Sequence, residues 1–341
     1  MKYLEYKFNE YLNSEGEVEI AGSTFDRNEI LYKMDTDVYK QAFLTWKEER
    51  KEILLSKADL ILEAYDTQSR FTRLSSIYAK GQIIPFVGAG MSMPSGYSGW
   101  TSYLKKLRKE TVVSESDLQA LLDSGQYEQA AQVLFENMPS NAFNEALDNE
   151  FHQDKEIYGA VQYLPKLFTD SVITTNFDNV LKRCYDNANC SFSDVILGVD
   201  SEEVSRLIVT DSKLLLKLHG KANTAKKRVL TEAEYNEHYS DSDVLKKSIE
   251  AITSSTLLFL GCSLGVDRTI KTMIQIAEDK GLDNIPRHYA LIGLYDEKDK
   301  LTKRDELAKA NIHPIWYDGN DDHDECIESL LLKLSEGRMY D

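Results

Sequence analysis

The chain has 341 residues, 42% of them hydrophobic and 28% charged, which excludes global disorder and suits one large domain or a domain with an appendage. Its 57 acidic against 40 basic side chains give a formal net charge of −17, a field that repels a phosphate backbone and disfavours direct nucleic-acid binding by the surface as a whole. Cys184, Cys190, Cys262 and Cys326 form no C-x-x-C pair, there is no signal region, and no apolar run approaches the ~20 residues of a membrane span. Reduced thiols, no metal site, no membrane and a cytoplasmic location are therefore expected.

Residues 1 to about 35 are polar and mixed, with a Gly16–Gly22 stretch that suits a short hairpin or a loose arm. From Asp37 a helical pattern begins: Phe43, Trp46, Ile53 or Leu54, Ala58, Ile61 and Tyr65 recur at three- or four-residue steps, with Lys and Glu opposite. A second helix covers Phe71, Leu74, Ile77 and Tyr78 and ends at Gly81, where a left-handed cap is easy for glycine. These elements make residues 1–80 an N-terminal helical extension, suited to oligomerisation or partner docking.

After Gly81 strands alternate with helices. Apolar runs suited to buried parallel strands are Ile83–Val87, Val172–Thr175, Leu214–Leu218, Leu257–Leu260, Tyr289–Ile292 and Ile312–Trp316. The pattern predicts an α/β fold with a doubly wound parallel sheet over residues 81–341. Between the first two strands, about 100–168, lie several short amphipathic segments, among them Leu118–Leu122, Ala130–Leu134 and Ala142–Leu147. That is too much for one crossover, so this stretch is read as an inserted helical subdomain.

Four strand ends carry residues suited to chemistry. Val87-Gly88-Ala89-Gly90-Met91-Ser92 runs a strand into a glycine turn, where the backbone can approach a diphosphate that a Cβ would block and Ser92 can offer a hydroxyl. A plain tight turn explains the same residues, and the third glycine of a standard dinucleotide fingerprint is missing, with Met93 at its place and Pro94 following. Thr174-Thr175-Asn176-Phe177-Asp178 ends the next strand; Asn176 and Asp178 either face the ligand crevice or cap the following helix. Lys217-Leu218-His219-Gly220 ends a third, and imidazole there can act as a base or order a water or a ribose hydroxyl, unless it is a satisfied structural residue. Leu260-Gly261-Cys262-Ser263-Leu264-Gly265 delivers glycine and hydroxyl groups from a fourth, or makes a simple turn. The case for function is convergence on one sheet edge.

In order and spacing, the segments GAGMS, TTNFD, LHG and GCSL resemble the sirtuin superfamily from about Gly81 to Asp318, and look most like the sirtuin-like domains of bacterial antiphage-defence proteins that consume NAD. The resemblance implies a Rossmann-like, sirtuin-type fold with NAD+ as substrate. Gly88, Ala89, Gly90 and Ser92 would hold its phosphates and nearby ribose, with Thr175 beside them. Asn176 would position the attacking water, Asp178 would support the ribose or its own loop, and His219 would serve as base or as partner of a ribose hydroxyl. Gly261 and Ser263 would meet the adenosine side, with the cofactor-binding position between them, often a small polar residue, held here by Cys262. The implied activity is NAD+ glycohydrolysis to nicotinamide and ADP-ribose, draining NAD during infection. The implied partners are further copies in a homo-oligomer and a HerA-type ring ATPase. Sirtuin deacylases usually carry a four-cysteine zinc module and an acidic–aromatic–arginine element after the glycine loop; this chain has neither cysteine pairs nor that element, since Met93–Gly96 reads Met-Pro-Ser-Gly. A zinc-free deacylase or ADP-ribosyl transferase, and a silent NAD or ADP-ribose sensor, are the alternative readings.

Overall fold

Ala21 and Gly22 both hold positive φ, +52° and +76°, the geometry of a two-residue hairpin turn, and they join β1 (Val18–Ile20) to β2 (Ser23–Phe25) as an antiparallel pair. The Gly16–Gly22 stretch is thus a hairpin. It follows α1 (Lys2–Asn13) and precedes α2 (Arg27–Met34) and α3 (Thr36–Ala64). The computed structural model describes residues 2–200, 203–204, 213–222, 225–241, 244–265 and 268–340. Two compact units emerge, one of residues 1–60 with 328–341 and one of 61–327.

In the first unit, Phe8 sits among the rings of Tyr39, Phe43 and Trp46, with centroids 5.3, 5.5 and 5.4 Å away. A carboxylate is also sealed in: Glu328 is 0% exposed. Arg50 Nη2 donates to its Oε2 at 2.7 Å, Tyr3 Oη donates to the same oxygen at 3.4 Å, and Tyr340 Oη donates to Oε1. Arg50 Nε donates to Tyr340 Oη at 3.1 Å, closing the network. Burial opposes the Arg50 charge, but Glu328 and Tyr340 more than offset it and the guanidinium is held above its ordinary pKa. On α3 it is Leu54, not Ile53, that is buried, which settles the choice the helical spacing leaves open.

The second unit holds a seven-stranded sheet in the order β5-β6-β4-β3-β7-β8-β9, every pair parallel. Its strands are β3 (Ile83–Val87), β4 (Val172–Thr174), β5 (Asp194–Leu197), β6 (Leu214–Lys217), β7 (Thr256–Leu260), β8 (His288–Leu294) and β9 (Ile312–Asp318). From β3 the chain lays β4, then the edge strand β5 with β6 filling in between, and returns to build β7, β8 and β9 outward on the other side, so the α/β doubly wound, Rossmann-like class holds. Strand β5 is additional to the six apolar runs. It lies at the sheet edge with only Ile196 and Leu197 buried, so it carries too short an apolar run to stand out.

Helix α4 (Gln68–Tyr78) precedes β3, and Gly81 has φ +66° beyond its end. Between β3 and β4 lie α5 (Trp100–Arg108), α6 (Glu115–Asp123), α7 (Tyr127–Glu136), α8 (Ser140–Phe151) and the single turn α9 (Leu164–Leu167). Then come α10 (Val180–Asn187), α11 (Glu232–Tyr235), α12 (Val244–Ile252), α13 (Arg268–Lys280), α14 (Lys300–Ala308) and α15 (His323–Leu334). Leu245 and Ile249 of α12 and Met273 and Ile276 of α13 pack with Phe86, Leu216, Phe259 and Ala290 of the sheet in one apolar core.

Candidate active site

Strand register builds the site. Val87 lies opposite both Thr174 and Leu260, and Thr174 lies opposite Lys217, so four strands share one last row. Ala89, Asn176, His219 and Cys262 each stand two residues beyond it. This edge is the carboxyl end of the sheet, at the strand where the winding reverses, which is where open α/β sheets bind ligands.

The glycine turn is pinned to its neighbour. Gly88 N–H donates to Leu260 O and Gly90 N–H to Gly261 O, both at 2.9 Å. A Cβ on Gly88 would stand 2.5 Å from Gly261 O, and one on Gly90 would stand 2.9 Å from Gly261 Cα and 2.7 Å from His323 Nε2. Both glycines are therefore demanded by close approach between two loops of the protein itself, in addition to any approach to a diphosphate.

Asn176, 7% exposed, directs its amide inward. Nδ2 donates to Gly88 O at 3.0 Å and to Ser92 Oγ at 3.1 Å. A backbone carbonyl only accepts, so the orientation of the amide is fixed and both its N–H groups are committed. What remains for a ligand is Oδ1, an acceptor. Thr174 Oγ1 locks the loop beneath, accepting from Asn176 N–H at 3.0 Å and donating to Val87 O at 2.7 Å.

Ser92 is buried and bonds inward, linking the Asn176 amide to the Asp178 carboxyl. Asp178 Oδ1 also accepts from Val180 N–H at 2.9 Å, an Asx-type turn that meets the first N–H of α10 from one residue before its N-cap, Asn179. Lys217, 2% exposed, donates from Nζ to Phe177 O at 2.8 Å and to Asp178 O at 2.7 Å, clamping the turn that carries Asn176. Burial pushes the Asp178 carboxyl up against the pull of Lys217, and it brings the Lys217 ammonium down to about 8. Phe177 points to the helical segment, edge-on to Trp100 at 5.5 Å and to Phe151 at 5.9 Å.

His219 is buried, and Nε2 lies 3.2 Å from Tyr239 Oη, which in turn lies 2.9 Å from Thr269 Oγ1. Its Nδ1 is buried and has no partner among the described residues. Burial lowers the imidazole to about 4, so the ring is neutral at physiological pH. Cys262 lies shallower, its thiol 3.6 Å from Phe86 O, and Ser263 is exposed at the mouth of the edge; Ala89 and Thr175 are half-buried. The loop holding Ser263 turns through positive φ at Gly261 (+65°) and Leu264 (+48°).

All the residues expected at the site thus lie along one edge, though Ser92 and Asp178 spend their polar groups on the protein. Sequence reasoning missed Lys217, Tyr239, Thr269 and His323. A lysine inside the apolar run Leu214–Leu218 was a visible signal. The other three come from distant helices and left none. Among the described residues, no group of three or more His, Cys, Asp or Glu gathers as a metal site, and no helix is long and apolar enough to cross a membrane.

Residues 170–315 match the SIR2-like domain family, a span that contains the second, third and fourth motifs. An NAD(+) hydrolase ThsA of Enterococcus faecium is 23% identical over 301 residues, covering 81% of this chain and 60% of the relative. Defense-associated sirtuin 2 of Bacillus subtilis is 28% identical over 224 residues, 64% of this chain and 21% of the relative. The chain therefore spans less than two thirds of the length of these curated relatives. A solved chain described under "Structural Basis for the Mechanism and Regulation of Sir2 Enzymes" aligns with a TM-score of 0.40 at 14% identity, covering 79% of this chain and 98% of that one.

Proposed function

We propose that this chain, which carries a SIR2-like domain, hydrolyses the N-glycosidic bond of NAD+ to give nicotinamide and ADP-ribose, with the dinucleotide laid along the carboxyl ends of β3, β4, β6 and β7. The observation that carries this reading is the common row beyond which the glycine turn, Asn176, His219 and the Gly261–Gly265 loop all stand. The similarity to an NAD(+) hydrolase of Enterococcus faecium supports the same chemistry.

As the C1′–N bond breaks, nicotinamide leaves neutral and the ribosyl centre gains oxocarbenium character. Water then forms the new C–O bond and must lose a proton. Asn176 Oδ1 accepts one hydrogen of that water and turns a lone pair toward C1′; with both N–H groups committed, it cannot present a donor instead. His219, neutral and with Nδ1 unpartnered, accepts a proton from the water or the hydrogen bond of a ribose hydroxyl. A base near 4 is adequate for the first role, because water bonded to a carbocation is a far stronger acid than imidazolium. Ser92, Asp178 and Lys217 hold the loop. Ser263 and the backbone of Gly88–Gly90 meet the rest of the dinucleotide.

The activity is assigned to antiphage defence as an NAD-draining effector in the cytoplasm. A homo-oligomer and a HerA-type ring ATPase are the partners proposed; the exposed Tyr11, Tyr32, Met34, Val38 and Leu44 supply apolar surface for such contacts. The test is incubation of the purified chain with NAD+ beside Asn176→Ala and His219→Ala, following products by chromatography. Nicotinamide and ADP-ribose from wild type alone are expected. Equal release from all three proteins would move the chemistry elsewhere, and ADP-ribose found on protein would make the chain a transferase.

A further inference from the structure

A second cluster of charge lies at the opposite edge of the sheet, where β8 and β9 begin. Arg287 immediately precedes β8, and Tyr289 is register-paired with His313 of β9, their rings 6.0 Å apart. The first turns of α4 add Ser69, Arg70 and Arg73, the two arginines three residues apart on one helix face. These six residues line an open cavity of ≈ 230 Å³, smaller than the ~300–1,000 Å³ of drug-sized ligand sites and suited to a compact ligand.

The positive charge here has no internal answer. Among the described residues no carboxylate pairs with Arg70, Arg73 or Arg287, and the groups that act on Arg70 are Arg304 and Tyr289. Arg304 has its own partner in Asp305 at 2.7 Å. Arg70 is tethered by donation to the Pro314 carbonyl, whereas Arg73 and Arg287 are exposed. Burial first, and then these three arginines, depress His313 to about 4. Convergent, unpaired guanidiniums in a chain of net charge −17 are a local exception that folding alone does not explain.

We propose that this cavity binds a compact phosphorylated small molecule, with Arg70, Arg73 and Arg287 gripping a diphosphate-like group. A compact anion feels charges within about one Debye length, ~8–10 Å, and so sees the arginines, whereas a long polyanion would also lie against the acidic surface. The site is separate from the nucleotide edge: seven-residue strands at about 3.3 Å per residue place the two roughly 20 Å apart.

The test is isothermal titration calorimetry with inorganic pyrophosphate on the full chain, beside Arg73→Gln, Arg287→Gln, the double variant and Asn176→Ala, with melting temperatures recorded. Pyrophosphate should bind wild type and Asn176→Ala alike, weaken by about tenfold or more with each arginine lost, and fail to bind a double variant that melts like wild type. Arg287→Glu, exposed and unpaired, should abolish binding by charge reversal even if the double variant proves unstable. Orthophosphate should bind more weakly than pyrophosphate. Unchanged affinity in the arginine variants, loss in Asn176→Ala instead, no pyrophosphate binding by wild type, or binding of a DNA oligonucleotide alone would each overturn the proposal.

Discussion

Asn176→Ala should separate chemistry from folding. The side chain makes two hydrogen bonds, to Gly88 O and Ser92 Oγ, while its backbone bond to Thr174 Oγ1 survives the change. Neither lost partner is orphaned: Gly88 O still accepts from Met91 N–H at 3.2 Å, and Ser92 keeps Asp178. The stability cost is therefore two ordinary hydrogen bonds, about 1–3 kcal/mol in all. At roughly 2–4 °C per kcal/mol for a unit of this size, the melting temperature should fall by only several degrees. Removing Oδ1, by contrast, takes away the group that orients the water, and kcat should drop on the order of 10²–10⁴ with KM little changed. The assay is nicotinamide release at saturating NAD+, with calorimetry on the same preparation. A folded variant that turns over at the wild-type rate would refute the reasoning, and so would a loss of activity matched by a collapse in stability.

Ser92→Ala should act more mildly, lowering kcat by about tenfold, because Asn176 keeps its bond to Gly88 O and loses one anchor of two; a loss equal to that of Asn176→Ala would mean that the hydroxyl itself meets substrate. The pH profile of kcat/KM should show an acid limb near pH 4 and stay flat through neutrality, since burial keeps His219 unprotonated above that point; a limb near 6.5 would contradict it. His219 and His288 are both lowered from 6.5 to about 4 by burial, so the unfolded chain binds more protons between those values. Stability should accordingly be full above pH 6.5 and decline as pH falls toward 4, by up to about 3 kcal/mol for each histidine, as read by denaturant unfolding; a curve flat over that window would contradict the buried neutral rings. Glu328→Gln should cost about 3–5 kcal/mol, because it leaves Arg50 facing a neutral partner inside a sealed network; a calorimetric melt unchanged from wild type would show that the pair is dispensable.

Much of the sheet was legible because buried parallel strands must be apolar on both faces, and runs such as Ile83–Val87 and Leu257–Leu260 have no other comfortable place. Strand β5 escaped because an edge strand with two buried side chains needs no such run. At the site, the four motifs could be placed on one edge because position at a strand's end is a local property. What each side chain does there is not local. Ser92 looks like a ligand donor until Asn176 and Asp178 are seen on either side of it. The partner of His219 arrives from a helical turn twenty residues on, and Thr269 from α13, a further helix beyond, neither marked by any spacing.

The network around Glu328 also bears on how the chain is made. Arg50 and Tyr3 meet a carboxylate 278 and 325 positions later in the sequence. At about 5–20 residues per second, a ribosome delivers Glu328 tens of seconds after the first helices have emerged. Through that interval the N-terminal helices wait with the Arg50 guanidinium unpaired, while the residues that build the sheet leave the exit tunnel behind them. Any chaperone holding that early surface must release it before residues 328–340 can seat, so maturation of the first unit waits on the synthesis of that segment rather than on its own first helices.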